Sequence, residues 1–252
     1  MDSIQGSLLV LVAAAFAVGG FVKGVVGLGL PTVAMGLLGV AMPPSQAAAL
    51  LLVPSLLTNL WQVGGPGWQQ LVRRLAPMLL GVCAGVWAGA DWLASAGRQT
   101  GWPTAALGGA LVLYAVLGLL NWRPRVARAH EVWWAPCIGV ATGLVTAATG
   151  VFALPAVPYL QALGLPRDEL VRALGLSFLV ATVALGVALG SRGALPSGLV
   201  WASLLALVPA LAGMALGQAV RRRVAPEPFR RVFLAGLLVL GLYLFLRVVL
   251  AR

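Results

Sequence analysis

The segment Gly19–Asn59 is apolar enough to lie in a lipid bilayer, yet it cannot form one continuous helix. Residues that break or bend helices recur along it, namely Gly24, Gly27, Gly29, Pro31, Pro43 and Pro44. In lipid the backbone must satisfy its own hydrogen bonds, so a helix breaks mainly where it lines a cavity or a binding site. A similar segment, Thr142–Leu185, follows in the second half of the chain. This pattern predicts a membrane protein built from two halves.

The composition agrees with a membrane protein and excludes two other classes. Hydrophobic residues make up 61% of the chain and charged residues 9%, which leaves too little polar surface for a soluble globule. The net charge of +11 raises the alternative of nucleic-acid binding. However, the arginines cluster between apolar runs, at Arg73–Arg74, Arg123–Arg128 and Arg221–Arg231, as in proteins that obey the positive-inside rule. We therefore expect the lipid bilayer as a partner and no nucleic acid.

Hydropathy predicts six full-length membrane spans and two broken stretches. The spans are Gln46–Val63, Leu75–Ser95, Pro103–Trp122, Leu170–Leu189, Ser197–Val220 and Phe229–Leu250. We interpret each broken stretch, Ser7–Met42 and Trp133–Leu163, as a longer helix followed by a shorter one. The shorter helices, Pro31–Met42 and Leu154–Leu163, would be about 18 Å and about 15 Å long, against about 30 Å for a bilayer core. Whether these hairpins cross the membrane or re-enter it is left open.

The predicted fold is thus an all-α polytopic membrane protein with two inverted repeats, each a broken or re-entrant helical hairpin plus three transmembrane helices. The first repeat covers residues 1–122, a basic cytoplasmic linker covers 123–132, and the second repeat covers 133–252. The best internal match pairs Leu75–Gly85 with Leu207–Gly217, which share Leu, Pro, Leu, Gly and Gly at the same offsets. The glycines of these two helices are spaced by four residues, which also predicts close helix packing.

The arginines predict that the two repeats are inverted. Arg73 and Arg74 precede the first of the matching helices, whereas Arg221 and its neighbours follow the second. If arginine marks the cytoplasm, matching helices run in opposite directions. Counting the spans then places both termini in the periplasm. The N-terminus has Asp2 and lacks the basic region and cleavage site of a signal peptide, so we expect the first helix to be retained.

Lys23 is the only lysine in the chain, and it lies inside the first broken stretch. A charged group there is costly unless it faces water, a counter-charge or a substrate, and no acidic residue is close in sequence. In the alternative interpretation, the turn of the hairpin reaches the cytoplasmic headgroups and Lys23 simply obeys the positive-inside rule. The sequence leaves both interpretations open.

The glycines and prolines near Lys23 predict a backbone site for an anion. Residues without side chains let the chain turn and let a ligand approach N–H groups, and proline starts a helix without wasting a donor. The N-terminus of the short helix would then face the anion. The candidate binding residues in the first half are Lys23, Gly24, Gly27, Gly29, Pro31 and Thr32, and those in the second half are Thr146, Thr149, Gly150 and Pro155. Tight helix packing is the alternative for the glycines.

Polar residues within the spans complete the candidate site. Ser55 and Asn59 follow the first hairpin, and Ser177 follows the second. The hydroxyls have an alternative role, because membrane Ser and Thr commonly bond their own helix backbone. All six acidic residues fall at termini, span ends or loops, so the sequence offers no catalytic residues, no metal cluster and no proton relay. A site of amides, hydroxyls and one lysine favours an anion.

These residues resemble the sulfite exporter (TauE/SafE) family of transmembrane anion permeases. The likeness covers about residues 6–250 and is carried by three features. These are the motif Lys23-Gly24-x-x-Gly27-x-Gly29-x-Pro31, the Ala-rich start of the next span at Gln46–Leu52 with Pro54 and Asn59, and a related hairpin in the second half. Family members typically have G-x-G-G-G before the proline in both halves, whereas the second half here has Gly150-Val151-Phe152-Ala153.

The resemblance implies a permease for sulfite, an organosulfonate or a related small anion in a bacterial inner membrane. We therefore expect a transporter that works by alternating access and needs no cofactor. An anion channel is the closest alternative, and a membrane-embedded enzyme is a more distant one. The substrate, the coupling ion and the direction are left open, as is assembly, for which a homodimer is one possibility.

Overall fold

The computed structural model describes residues 2–64, 67–94, 101–120, 125–195, 197–221 and 226–250. These residues form ten helices, and none of them belongs to a strand. The helices of the first half are α1 (Asp2–Val26), α2 (Leu30–Leu38), α3 (Pro44–Val63), α4 (Trp68–Ala94) and α5 (Trp102–Leu119). Those of the second half are α6 (Arg128–Thr149), α7 (Ala156–Ala162), α8 (Arg167–Ser191), α9 (Ser197–Val220) and α10 (Pro226–Val249).

Eight of these helices are long and apolar enough to cross a membrane. Six of them, α3, α4, α5, α8, α9 and α10, correspond to the six predicted spans, and α1 and α6 are the long arms of the two hairpins. The prediction of an all-α polytopic membrane protein is therefore confirmed. The predicted span ends at Ser95 and Trp122 lie outside the described residues, as do residues 121–124 at the border between the first repeat and the linker. The described part of the linker turns helical at Arg128.

Both hairpins are broken where predicted, but their short helices are shorter than predicted. The first break separates α1 from α2 at residues 27–29, and the second separates α6 from α7 at residues 150–155. Helix α2 ends at Leu38 instead of Met42, because Gly39 begins a series of turns that leads to Pro43. Helix α7 ends at Ala162, because Gly164 takes a left-handed conformation with φ of +65°.

The helices of the two halves pack against each other in pairs. The most extensive contacts between the halves join α1 with α9, α4 with α6, α5 with α10, α3 with α8, and α4 with α8. Glycines make this approach possible, as predicted for the two matching helices. A Cβ added to Gly81 would lie 2.9 Å from the backbone nitrogen of Val140, and one added to Gly213 would lie 3.0 Å from that of Phe21. Since these neighbours are backbone atoms, a side chain here would force the helices apart.

Two of these pairs join helices that hold the same place in the two predicted repeats, and both pairs are antiparallel. Early in α8, Gly175 packs beside Asn59 from late in α3, whereas Gly186, late in α8, lies against Leu52. Likewise, α5 runs against α10, because Gly108 meets Gly241 and Gly118 meets Leu234 further along. These directions are those expected of inverted repeats, and the repeat relationship itself stays a prediction.

Helices α3 and α8 are the most buried of the candidate spans, so polar side chains on them lie inside the protein. Pro54 interrupts the hydrogen bonding of α3, because it has no N–H to donate to the carbonyl of Leu50. Ser203 of α9 replaces this bond: its hydroxyl donates to Leu50 O at 2.8 Å and accepts from Val53 N at 3.2 Å. The tertiary structure thus satisfies a backbone group that the sequence of α3 leaves without a partner.

Candidate anion site at the first helix break

Lys23 lies in the last turn of α1, and its side chain is only 4% exposed. It therefore does not reach the surface of the protein, as the headgroup interpretation requires. The ammonium group donates to Thr58 Oγ1 at 3.1 Å and to Asn59 Oδ1, both on α3. Both partners are neutral, and no acidic side chain among the described residues pairs with this cation. The first break thus places the only lysine of the chain inside the helical bundle, without an acidic partner among the described residues.

A chain of hydrogen bonds extends from Lys23 into the second half of the protein. Asn59 Nδ2 donates to Ser55 Oγ at 3.2 Å, and Thr182 Oγ1 of α8 contacts the same hydroxyl at 3.4 Å. Ser55, Asn59 and Thr182 are all buried. The Thr182 hydroxyl also donates to Phe178 O at 2.6 Å, so it bonds the backbone of its own helix, as threonines in membrane helices commonly do. We call Lys23, Ser55, Thr58, Asn59 and Thr182 the lysine cluster.

Ser177 of α8 is fully buried, and its hydroxyl has no hydrogen-bond partner. It lies two residues beyond Gly175, whose Cα faces the backbone of Asn59. Buried polar groups are almost always hydrogen-bonded, and an exception calls for an explanation. A hydroxyl that is left free inside the protein can donate to a bound anion.

The first break itself depends on two glycines in conformations that other residues avoid. Gly27 has φ of +88° and Gly29 has φ of +117°. The N–H of Gly27 closes α1 by donating to Lys23 O at 2.8 Å, and Gly29 precedes α2, which has Pro31 in its first turn. Pro31 and Thr32 are buried within α2. The motif therefore ends one helix and starts the next within three residues.

Gln62 belongs to this region but was missed by the sequence analysis. Its Nε2 donates to Gly27 O at 2.8 Å and to Val171 O of α8 at 2.9 Å. Its Oε1 is buried without a partner. The available signal was its spacing, since Gln62 follows Asn59 by three residues and so lies on the same face of α3.

Gly24, in contrast, packs against another helix. A Cβ in this position would meet backbone atoms of Met214, Gly217 and Gln218 on α9. The space beside Gly24 is thus filled by α9, and a ligand does not have room to approach the backbone from that side. The structure gives this glycine a packing role.

The candidate residues of the second half lie apart from the lysine cluster. Gly150, with φ of +71°, faces Met35 of α2 and Ala48 near the start of α3, whereas Lys23 contacts residues near the end of α3. Thr146 and Thr149 donate to carbonyls one turn back in α6, at 2.8 and 2.7 Å, and Thr149 also accepts from Val151 N. Pro155 lies just before α7. The hydroxyls of the second break are therefore already used within their own hairpin.

A cavity of about 440 Å³ adjoins the first break. Val26 and Leu28, on either side of Gly27, form part of its wall, and Val171 forms another part. Its charged lining residues are Arg167, Glu227 and Arg230. The described residues contain no group of three or more His, Cys, Asp or Glu side chains that would hold a metal ion.

A family model for the sulfite exporter TauE/SafE matches residues 11–244, which is nearly the whole chain. The chain belongs to the sulfite exporter TauE/SafE family. The match includes both broken hairpins and the complete lysine cluster, and the resemblance inferred from the glycine and proline motif is thereby confirmed. No curated protein and no solved structure matches the chain.

Membership of the TauE/SafE family makes this chain a multi-pass membrane transporter, and the family consists of transporters, not enzymes. The structure shows where this TauE/SafE protein holds its buried lysine. Of the predicted site residues, Lys23, Ser55 and Asn59 come together, Ser177 is buried on α8 without a hydrogen-bond partner, and those of the second hairpin remain separate.

Proposed function

We propose that the protein transports a small anion, namely sulfite, an organosulfonate or a related sulfur-containing or carboxylate anion, by alternating access. The observation that carries this proposal is the burial of Lys23 with only neutral partners. Removing a charge from water is costly, and neutral hydrogen bonds return only part of that cost. An anion that binds beside Lys23 supplies the missing counter-charge.

The polar groups of the candidate site suit a small oxyanion. The unpartnered hydroxyl of Ser177 is available as a second donor. Ser55 and Asn59 offer a hydroxyl and an amide that can rearrange around a ligand. An oxyanion with three or four oxygens accepts from several such donors at once, whereas a cation would be repelled by Lys23.

Alternating access is favoured by the difference between the two breaks. An open cavity adjoins the first break, whereas Val151, Phe152, Ala153 and Leu154 at the second break are all buried. The lysine cluster thus lies close to an opening on one side and behind packed side chains on the other. We assign the opening to the cytoplasmic side of a bacterial inner membrane, because Arg167 and Arg230 line it and arginine marks the inner side. Both termini are then periplasmic.

The first experiment identifies the anion. Purified protein is screened by thermal shift against sulfite, thiosulfate, taurine, sulfoacetate and simple carboxylates, because a ligand that binds only the folded protein raises its unfolding temperature. Any stabilising anion is then tested for counterflow in proteoliposomes. Saturable counterflow supports a carrier, flux without counterflow indicates a pore, and the absence of any stabilising or transported anion contradicts the proposal.

The second experiment tests the role of Lys23. We expect Lys23→Ala to abolish uptake of the anion while the protein stays folded, because the replaced lysine has no charged partner to leave behind. Arg231→Ala removes a positive charge from an exposed position and serves as the control. Wild-type kinetics for Lys23→Ala would show that the lysine does not contact the anion.

A further inference from the structure

The cavity at the first break is built by both halves of the protein. Val26 and Leu28 come from the first hairpin and Tyr114 from α5, whereas Leu174 comes from α8 and Arg230 from α10. Its volume of about 440 Å³ is ample for a hydrated small oxyanion. The cavity is separate from the lysine cluster, since none of the five cluster residues lines it.

A layer only one helical turn thick separates this cavity from the cluster. On α1, Val26 lines the cavity and Lys23 lies three residues earlier. On α8, Leu174 lines the cavity and Ser177 lies three residues later. Residues three apart face the same side of a helix, about 4.5 Å apart along its axis. On α1 one helical turn therefore separates the cavity wall from Lys23, and on α8 one turn separates it from the free hydroxyl of Ser177.

Gln62 closes the layer between these two helices. Its Nε2 bridges the carbonyl of Gly27, in the first break, and that of Val171, which lines the cavity. It also lies one turn from Asn59 on α3. The side chain thus ties the first hairpin to α8, at the level of the layer.

The amide oxygen of Gln62, Oε1, is a hydrogen-bond acceptor without a donor. Both partners of the Gln62 amide are carbonyls, so the NH₂ group must point towards them and Oε1 is left without a partner. Gly175 leaves room for the side chain, because a Cβ there would lie 3.0 Å from both Cβ and Cγ of Gln62. The Gln62 side chain is held by only two hydrogen bonds between neutral groups. A charged ligand forms stronger hydrogen bonds and can therefore replace them.

The charges on the cavity wall favour an anion. Arg230 donates to Gly118 O at 3.0 Å and lies 3.7 Å from Glu227, which leaves guanidinium N–H groups for a ligand. Among the described residues Arg167 has no hydrogen-bond or ion-pair partner, and it is exposed. Two arginines and one glutamate give the wall a net positive charge. A small oxyanion is the ligand class that this wall attracts.

We propose that the cavity is a second anion site on the route to Lys23, and that the anion must displace Gln62 from Gly27 and Val171 to pass between the two. This inference rests on the proposed transport of a small anion. In the cavity the anion is held by Arg167 and Arg230. Beyond Gln62 it meets the lysine cluster and the free hydroxyl of Ser177.

The test measures how fast two positions react with a membrane-impermeant sulfonate thiosulfonate reagent. Both native cysteines, Cys83 and Cys137, are first replaced by alanine, since both are exposed. Single cysteines are then introduced by Val171→Cys on the cavity wall and by Ser177→Cys beyond the layer. We expect Val171→Cys to react readily and to be protected by the transported anion. Ser177→Cys should react slowly, and about ten-fold or more faster when combined with Gln62→Ala, because two hydrogen bonds then no longer hold the barrier.

Two further variants keep the test decisive. Gly175→Ala displaces the Gln62 side chain without deleting it, so it should speed the reaction of Ser177→Cys in the same direction. Gln70→Ala removes an exposed glutamine on α4 and should leave the reaction unchanged.

The inference is overturned if the anion does not protect Val171→Cys, or if neither Gln62→Ala nor Gly175→Ala speeds the reaction beyond the layer. Because the reagent is itself a sulfonate anion, the accessibility of both positions can be measured even if no transported anion is found. Failure of the barrier is therefore distinguishable from failure of the proposed transport.

Discussion

Replacing Gly24 by alanine tests whether this glycine serves packing or ligand approach. Gly24 was predicted as part of an anion site, but in the structure it faces α9. An alanine Cβ would lie 2.9 Å from both Gln218 N and Gly217 Cα, and closer still to Met214 O. None of these atoms can rotate away, because all three belong to the backbone of α9. The two helices must therefore move apart to accept one methyl group.

The expected cost follows from two opposing effects. Overpacking a tight contact typically costs about 1–3 kcal/mol, and here no side chain can relax to reduce it. Alanine is a better helix former than glycine by roughly 0.8–1 kcal/mol, which offsets part of the loss. Taking the upper half of the overpacking range, we expect Gly24→Ala to lower the free energy of unfolding by about 1–2 kcal/mol. For a chain of this size that corresponds to a fall of several degrees in the unfolding temperature.

Thermal unfolding of the purified protein in detergent measures this effect, with Gly236→Ala as the matched control. Gly236 lies within α10, and a Cβ there has no neighbour within 4 Å. This variant gains helix propensity without a clash, so its stability should be unchanged or slightly raised. Equal stabilities for the two variants would refute the close approach of α1 and α9. If Gly24→Ala instead keeps wild-type stability but no longer binds the anion, Gly24 contacts the ligand.

Two further predictions concern the core around α3. Asn59→Asp places a carboxylate against Lys23 and supplies an internal counter-charge. We expect the affinity for the anion, measured as KM in counterflow, to fall at least about tenfold, and the unfolding temperature to stay the same or rise. An unchanged KM would count against an anion at Lys23. Ser203→Ala leaves the Leu50 carbonyl without a donor beside Pro54, and we expect a destabilisation of about 1–3 kcal/mol in thermal unfolding. Ser203→Thr keeps the hydroxyl and is the control, and equal stability of the two variants would contradict this role.

Much of the helical architecture could be predicted from the sequence, because it depends on local properties. A run of about 20 apolar residues must form a helix in lipid, and a glycine or proline stops that helix where it stands. All six predicted spans and both breaks were found for this reason. The errors were at the ends of the short helices α2 and α7, where Gly39 and Gly164 end the helix before the apolar run is over.

The candidate site was only partly predictable. Lys23 stood out because a lone lysine in an apolar run is rare and costly. Gln62 did not stand out, because a glutamine near the end of a span is unremarkable until its two carbonyl partners are known. The second hairpin was expected to join the site, yet its threonines bond their own helix, and Gly150 faces the opposite end of α3.

By itself the sequence determined that this chain spans a membrane, where its helices break and which residue carries an unusual charge. These three properties follow from hydropathy and backbone geometry, which depend on residues close together in the sequence. Only the tertiary structure decided that Lys23 meets Asn59, 36 residues away, and that Ser55 meets Thr182, 127 residues away. The reason is that such meetings depend on which helix faces pack together. Packing faces are set by shape and small residues across the whole bundle, and no local pattern records them.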